Sequence, residues 1–140
     1  MIVNIHREDG VGNILRTVTP NKIDFAGRSF VIPRGFESDG ASVPRFFWRL
    51  VCPPLDHRAV RAGVAHDWIY RTQPVDWSRK EADKMFLCFL IEDGLPPVRA
   101  RLAYWGVRLG GWRAWNENRA VLKTVGAVEE LKNEEAAKKK

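Results

Sequence analysis

The chain has 140 residues, 45% of them apolar and 29% charged, enough for one domain whose core needs no metal or disulfide staples. That balance excludes a disordered chain. The net charge of +6 favours anionic neighbours such as a membrane surface or an acidic protein, but with no stacking platform or recognition helix, nucleic acid is not an expected partner.

The N-terminal third reads as β-hairpins. Ile2 to Ile5 alternates and runs into Asp9-Gly10, a hairpin turn signal. Ile14 to Val18 and Ile23 to Phe25 are further strands, and Ala26-Gly27 turns the chain into Ser29 to Ile32. Pro33 and Gly35 end the β-region near residue 32. Residues 33–55 are expected to be an irregular loop, Pro-rich at its end. Three helices should follow. The first runs from Asp56, a fitting N-cap, to Tyr70. The second opens at Ser78-Arg79-Lys80-Glu81, a capping box, and continues through Ala82, Met85, Phe86, Phe89 and Leu90 towards Gly94. The third begins after Pro96-Pro97 and stops at Gly110-Gly111. The expectation is an α+β fold over residues 1–116, with a helical core at 56–112. Residues 117–140 read as a charged, exposed helix.

Cys52 and Cys88 make neither a disulfide framework nor a zinc motif and read as small buried hydrophobes. Residues 1–20 hold no run resembling a signal peptide. No stretch reaches the roughly 18 apolar residues of a membrane span. Synthesis in a reducing cytoplasm is expected.

Two polar residues stand on apolar faces. Ala59, Ala62, Gly63, His66 and Tyr70 share one face of the first helix, small enough at its start for a neighbouring helix to come close. On the second helix, Asp83 shares its face with Phe86, Leu87 and Leu90. A carboxylate there must be paired, because burying it alone costs several kcal/mol. His66 is the natural partner across an antiparallel helix pair. An Asp on one ring nitrogen leaves the other free to take a proton from water. The same pair serves equally as a lock between two helices, and spacing alone does not choose. Asp67 lies about 100° round the helix from His66. Together with Asp39-Gly40 in the loop it offers the oxygen ligands that calcium prefers. Asp39-Gly40 equally suits a plain turn. A metal phosphohydrolase pattern is set aside, because His57 falls on the same helix as His66, roughly 180° away.

Four blocks carry a resemblance: Gly35-Phe36-Glu37-Ser38-Asp39-Gly40-Ala41-Ser42-Val43-Pro44-Arg45, His66-Asp67-Trp68-Ile69-Tyr70, Ala82-Asp83-Lys84-Met85-Phe86 and Tyr104-Trp105-Gly106-Val107-Arg108. Over about residues 25–112 the chain resembles a phage and prophage family of unknown function. More distantly, the same order of blocks is similar to the small secreted phospholipases A₂ of bacteria and fungi. That second resemblance implies His66 as general base, Asp83 as its orienting partner and Tyr70 as a buttress. It implies calcium held by Asp39, Asp67 and the Gly40 carbonyl. The secreted enzymes tie the calcium loop to the His helix by a disulfide, where this chain has Ala41 and Gly63. Arg45 replaces an acidic residue.

The resemblance implies a phage-encoded virion component, of tail or entry apparatus, that contacts or hydrolyses host membrane phospholipid. Its partners would be other phage structural proteins and an anionic membrane surface. The alternative is a purely structural phage protein that keeps the His-Asp pair for stability.

Overall fold

The structure, a computed structural model, describes residues 1–8, 12–38 and 56–139. Antiparallel strands precede three helices, giving the expected α+β architecture. β1 (Val3–Glu8) pairs with β2 (Gly12–Thr17), Val3 opposite Thr17. β3 (Asn21–Phe25) and β4 (Arg28–Ile32) form a second, two-stranded sheet. Its two-residue connection puts Ala26 at φ 50° and Gly27 at φ 77°, the left-handed pair that matches the twist of a tight hairpin. β5 (Glu37–Ser38) then returns to pair antiparallel with β2, Leu15 opposite Ser38, so the first sheet has the order β1-β2-β5.

The expectation of an irregular segment over 33–55 therefore fails at its start. Thr17 is the reason. Its buried Oγ1 donates to the Pro33 carbonyl at 2.7 Å and accepts from the Phe36 amide at 2.9 Å. Those bonds fold residues 33–36 back so that Glu37 and Ser38 reach β2. Asp9-Gly10 and the rest of the loop, with Asp39 and Gly40, lie outside the described residues.

α1 (His57–Thr72) starts at Asp56, which accepts from the Arg58 amide at 3.0 Å. α2 (Arg79–Glu92) starts at Ser78 with both bonds of the expected capping box. α1 is the central element. Ala59, Ala62, Val64, Ala65, His66, Asp67, Ile69 and Tyr70 are all buried, so its core contact is wider than one stripe. Arg61 clamps α1 to the end of α2, bonding Asp93 at 2.9 Å and Glu92 at 2.8 Å with its guanidinium over the Phe89 ring. The β3–β4 hairpin packs on the α1–α2 connection through aromatic rings. Phe25 and Phe30 both meet Trp77, and the Arg28 guanidinium lies over the Trp77 ring, 4.2 Å from its centroid, while bonding Glu81.

α3 differs most from expectation. It runs unbroken over Pro97–Lys138, through the Gly110-Gly111 pair read as its end. Gly111 is there for space. A methyl group at that position would stand 2.6 Å from the Tyr70 hydroxyl oxygen and 3.2 Å from its ring. Helix formers fill the residues that follow, so nothing stops propagation. At Gly63, by contrast, nothing lies within 4 Å of where a side chain would begin, so the close approach expected there occurs at Gly111 instead.

Gly111→Ala should therefore destabilise the protein by about 1–3 kcal/mol, the usual cost of overpacking, despite alanine's better helix propensity. Urea unfolding checks this. The cost should shrink in a Tyr70→Phe background, because the nearest clashing atom is gone.

Candidate functional site

The buried centre of the helical layer is a single carboxylate with four partners. Asp83 on α2 is fully buried, and His66 and Tyr70 on α1 face it one turn apart. His66 Nε2 lies 2.7 Å from Asp83 Oδ1, and the Tyr70 hydroxyl donates to the same oxygen at 2.6 Å. The other oxygen takes Arg108 Nη1 from α3 at 2.6 Å, with Arg79 Nη1 one helical turn back at 3.5 Å. Each of the three helices thus contributes to one charge. The His66 ring sits against Tyr70 at 4.1 Å between centroids and against Phe86 at 5.1 Å. Only 2% of His66 is exposed.

Burial pushes the Asp83 carboxyl up, but the hydrogen bonds from His66, Tyr70 and Arg108 outweigh it and hold the group below the usual carboxylate range. Asp83 is therefore ionised and accepts only. Neutral His66 must then carry its proton on Nε2, which makes Nδ1 the basic nitrogen. Among the described residues nothing hydrogen-bonds Nδ1. Burial pushes the Tyr70 phenol far up, and the adjacent Asp83 charge adds to this, so Tyr70 is a permanent donor. The Asp83 hydrogen bond raises the Arg108 guanidinium.

Of the residues singled out from sequence, His66, Asp83 and Tyr70 come together. Asp67 turns to the β-layer: it is buried and accepts a hydrogen bond from Ser38 Oγ of β5. Arg71, one turn on, reinforces that contact by donating to the Glu37 carbonyl at 2.6 Å. No group of three or more His, Cys, Asp or Glu side chains gathers to hold a metal among the described residues. Asp39 and Gly40, the other two expected calcium ligands, lie outside them. His57 opens α1 with an exposed side chain. Sequence reasoning gave no role to Arg79, Arg108 or Ser38. Arg79 stands four residues before Asp83, the spacing of a helical ion pair. Arg108 follows Val107 and stands one turn from Gly111 on the core-facing side of α3. Both were signals that could have been read.

Fold and site together define a small α+β domain built round a buried His-Asp-Tyr-Arg network. The chain belongs to the family described as "Protein of unknown function (DUF1353)", whose model matches residues 17–107. It is 28% identical over 85 residues to the uncharacterized protein y4jT of Sinorhizobium fredii (strain NBRC 101917 / NGR234), covering 61% of this chain and 25% of that one. It is 29% identical over 91 residues to the uncharacterized protein y4iH of the same strain, covering 65% of this chain and 37% of that one. The chain thus spans about a quarter to a little over a third of these relatives. No solved structure matches it significantly.

The two shifted groups give stability two pH limits. An unfolded Asp titrates near about 4 and an unfolded Tyr near about 10. Asp83 is lower when folded, so its contribution is present above about pH 4 and lost as pH falls towards the folded value. Tyr70 is higher when folded, so its contribution is present below about pH 10 and lost as pH rises beyond it. Urea unfolding across pH should show Asp83→Asn flattening the acid limb and Tyr70→Phe the alkaline limb. Asp83→Ala leaves His66, Tyr70 and two arginines without their acceptor and should cost about 3–5 kcal/mol at neutral pH.

Proposed function

We propose that this chain is a phage-encoded component that contacts membrane phospholipid and hydrolyses its ester bonds, with His66 as general base. One observation carries this reading: Asp83 takes the Nε2 side of His66 and is itself fixed by Tyr70 and Arg108. That leaves Nδ1 as the one nitrogen able to accept a proton from water. The water oxygen then attacks the ester carbonyl carbon while Asp83 steadies the imidazolium that forms. As the tetrahedral intermediate collapses, the bond to the alcohol oxygen breaks and His66 returns its proton to that oxygen, releasing fatty acid and lysolipid. Calcium, held by Asp67, Asp39 and the Gly40 carbonyl, would supply polarisation of that carbonyl. The resemblance of the four sequence blocks to phage proteins and to secreted phospholipases A₂ supports the substrate class. It also supports a place in the virion beside other phage structural proteins, after synthesis in the host cytoplasm.

Membrane contact has support of its own. Val98, Leu102, Trp105, Leu109 and Trp112 form a stripe on α3, each 47% to 71% exposed. Residues 97–116 hold no acidic residue, and Arg99 and Arg101 stand exposed on the same stretch of helix. Exposed Trp beside Arg suits an anionic bilayer surface. The stripe faces away from α1 and α2, so it would attach the protein rather than deliver lipid to His66. No helix among the described residues is long and apolar enough to cross a membrane.

A second reading is structural, and the 2% exposure of His66 favours it: the network would then serve only to lock three helices. Phosphatidylglycerol vesicles with millimolar calcium separate the two. Hydrolysis predicts fatty-acid release that His66→Ala abolishes, and a calcium-dependent rise in melting temperature that His66→Ala keeps and Asp67→Asn removes. No release and a flat melt would leave the structural reading standing.

A further inference from the structure

Beyond Asn118 every described residue of α3 is exposed, and where the helix parts from the α1–α2 connection it leaves a groove of about 360 Å³. Gln73 shapes that groove. It ends α1 in the left-handed region, at φ 41°, a conformation that glycine adopts more easily. Its side chain holds it there, donating to the Trp115 carbonyl at 2.7 Å and accepting from Arg119 Nε at 3.2 Å. The chain then turns through Pro74 and Val75, and Trp77 and Trp115, both buried, floor the groove. Val75 is fully exposed and Leu122 is 39% exposed, so apolar surface is left uncovered on both walls.

The rim is cationic. Trp115, Arg119, Leu122 and Lys123 fall at i, i+4, i+7 and i+8 on one face of α3, and all four line the groove. The bond to Gln73 engages only Nε of Arg119. Both terminal nitrogens of that guanidinium are without a partner among the described residues, and Lys123 pairs with no carboxylate there. A guanidinium fixed at Nε presents its remaining N–H groups as a fork suited to a carboxylate. No acidic residue lines the groove. A neutral apolar occupant would leave both cations unanswered, and a bare anion would leave the apolar walls wet. Trp115 to Lys123 spans about 12 Å at 1.5 Å per residue, a reach that a short aliphatic chain matches. We propose that this groove binds a small amphipathic carboxylate, its head between Arg119 and Lys123 and its apolar body against Pro74, Val75 and Trp115. His66, Tyr70 and Asp83 do not line it, so it stands apart from the buried network.

Equilibrium dialysis of the full chain against labelled octanoate, octanol or acetate tests this. Octanoate should bind about tenfold more tightly than octanol, which lacks the head, or acetate, which lacks the body. Lys123→Glu and Val75→Glu each put a negative charge at an exposed position of the groove, so the fold is kept. Each should weaken octanoate binding by about tenfold. Lys132→Glu makes the same change in net charge as Lys123→Glu from outside the groove, and should leave binding within about twofold. Octanol held as tightly as octanoate would make the groove merely apolar. Equal losses from Lys123→Glu and Lys132→Glu would make the effect one of net charge, and binding unmoved by Lys123→Glu and Val75→Glu would place octanoate elsewhere. An acidic, Leu-rich peptide that binds where octanoate does not would make this a peptide-docking face. Any of these results, or no octanoate retained at millimolar concentration, overturns the proposal.

Discussion

A buried negative charge governs the helical layer. Asp83 is fully buried, so its charge is tolerable only while donors surround it, and those donors come from every helix. α1 brings His66 and Tyr70, α2 brings Arg79 from its own preceding turn, and α3 brings Arg108. The crossing of the three helices is thereby fixed to within hydrogen-bond tolerance. Tyr70 passes the constraint on: its hydroxyl lies between the carboxylate and the backbone of Gly111, so α3 can approach only where a side chain is missing. One charge, one phenol and one absent methyl set the depth at which α3 docks.

The neighbouring carboxylate works in another direction. Asp67 follows His66 in sequence but meets Ser38 of β5, and Arg71 seizes the carbonyl beside it. Phe36 and Trp68 meet edge to face at 5.1 Å over the same junction. Adjacent residues on α1 therefore serve two layers, His66 the helices and Asp67 the sheet. A rotation of α1 about its axis would strain both at once, which gives the His66 ring a fixed orientation.

Much of this was legible in the residues. Alternation gave the hairpins, Ser78 and Glu81 gave the start of α2, and a lone Asp on an apolar face required His66 as partner. Other features were hidden for physical reasons. Gly110-Gly111 carries the composition of a helix end, and only the depth of the Tyr70 side chain reveals that Gly111 answers a packing demand. β5 has two residues and no pattern; the side chain of Thr17, distant in sequence, creates it. For Arg79 and Arg108 spacing offers a cue, but residue type does not show that a guanidinium reaches inward from a half-exposed position. The contribution of Ser38 depends on β5 and was out of reach for the same reason that β5 was.

The β3–β4 hairpin forms a sheet of its own, and its grip on the rest is through side chains: Phe25 and Phe30 against Trp77, Phe25 against Phe89, and Arg28 over the indole and onto Glu81. Ile23 and Ile32, both buried in the common core, add to that grip, and none of it is a strand ladder. Opening of the hairpin would therefore cost buried apolar area but no ladder hydrogen bonds to the other sheet. Amide protection in this domain would then be graded, deepest where α1 and α2 surround Asp83 and shallower at the hairpin that shields the end of α1.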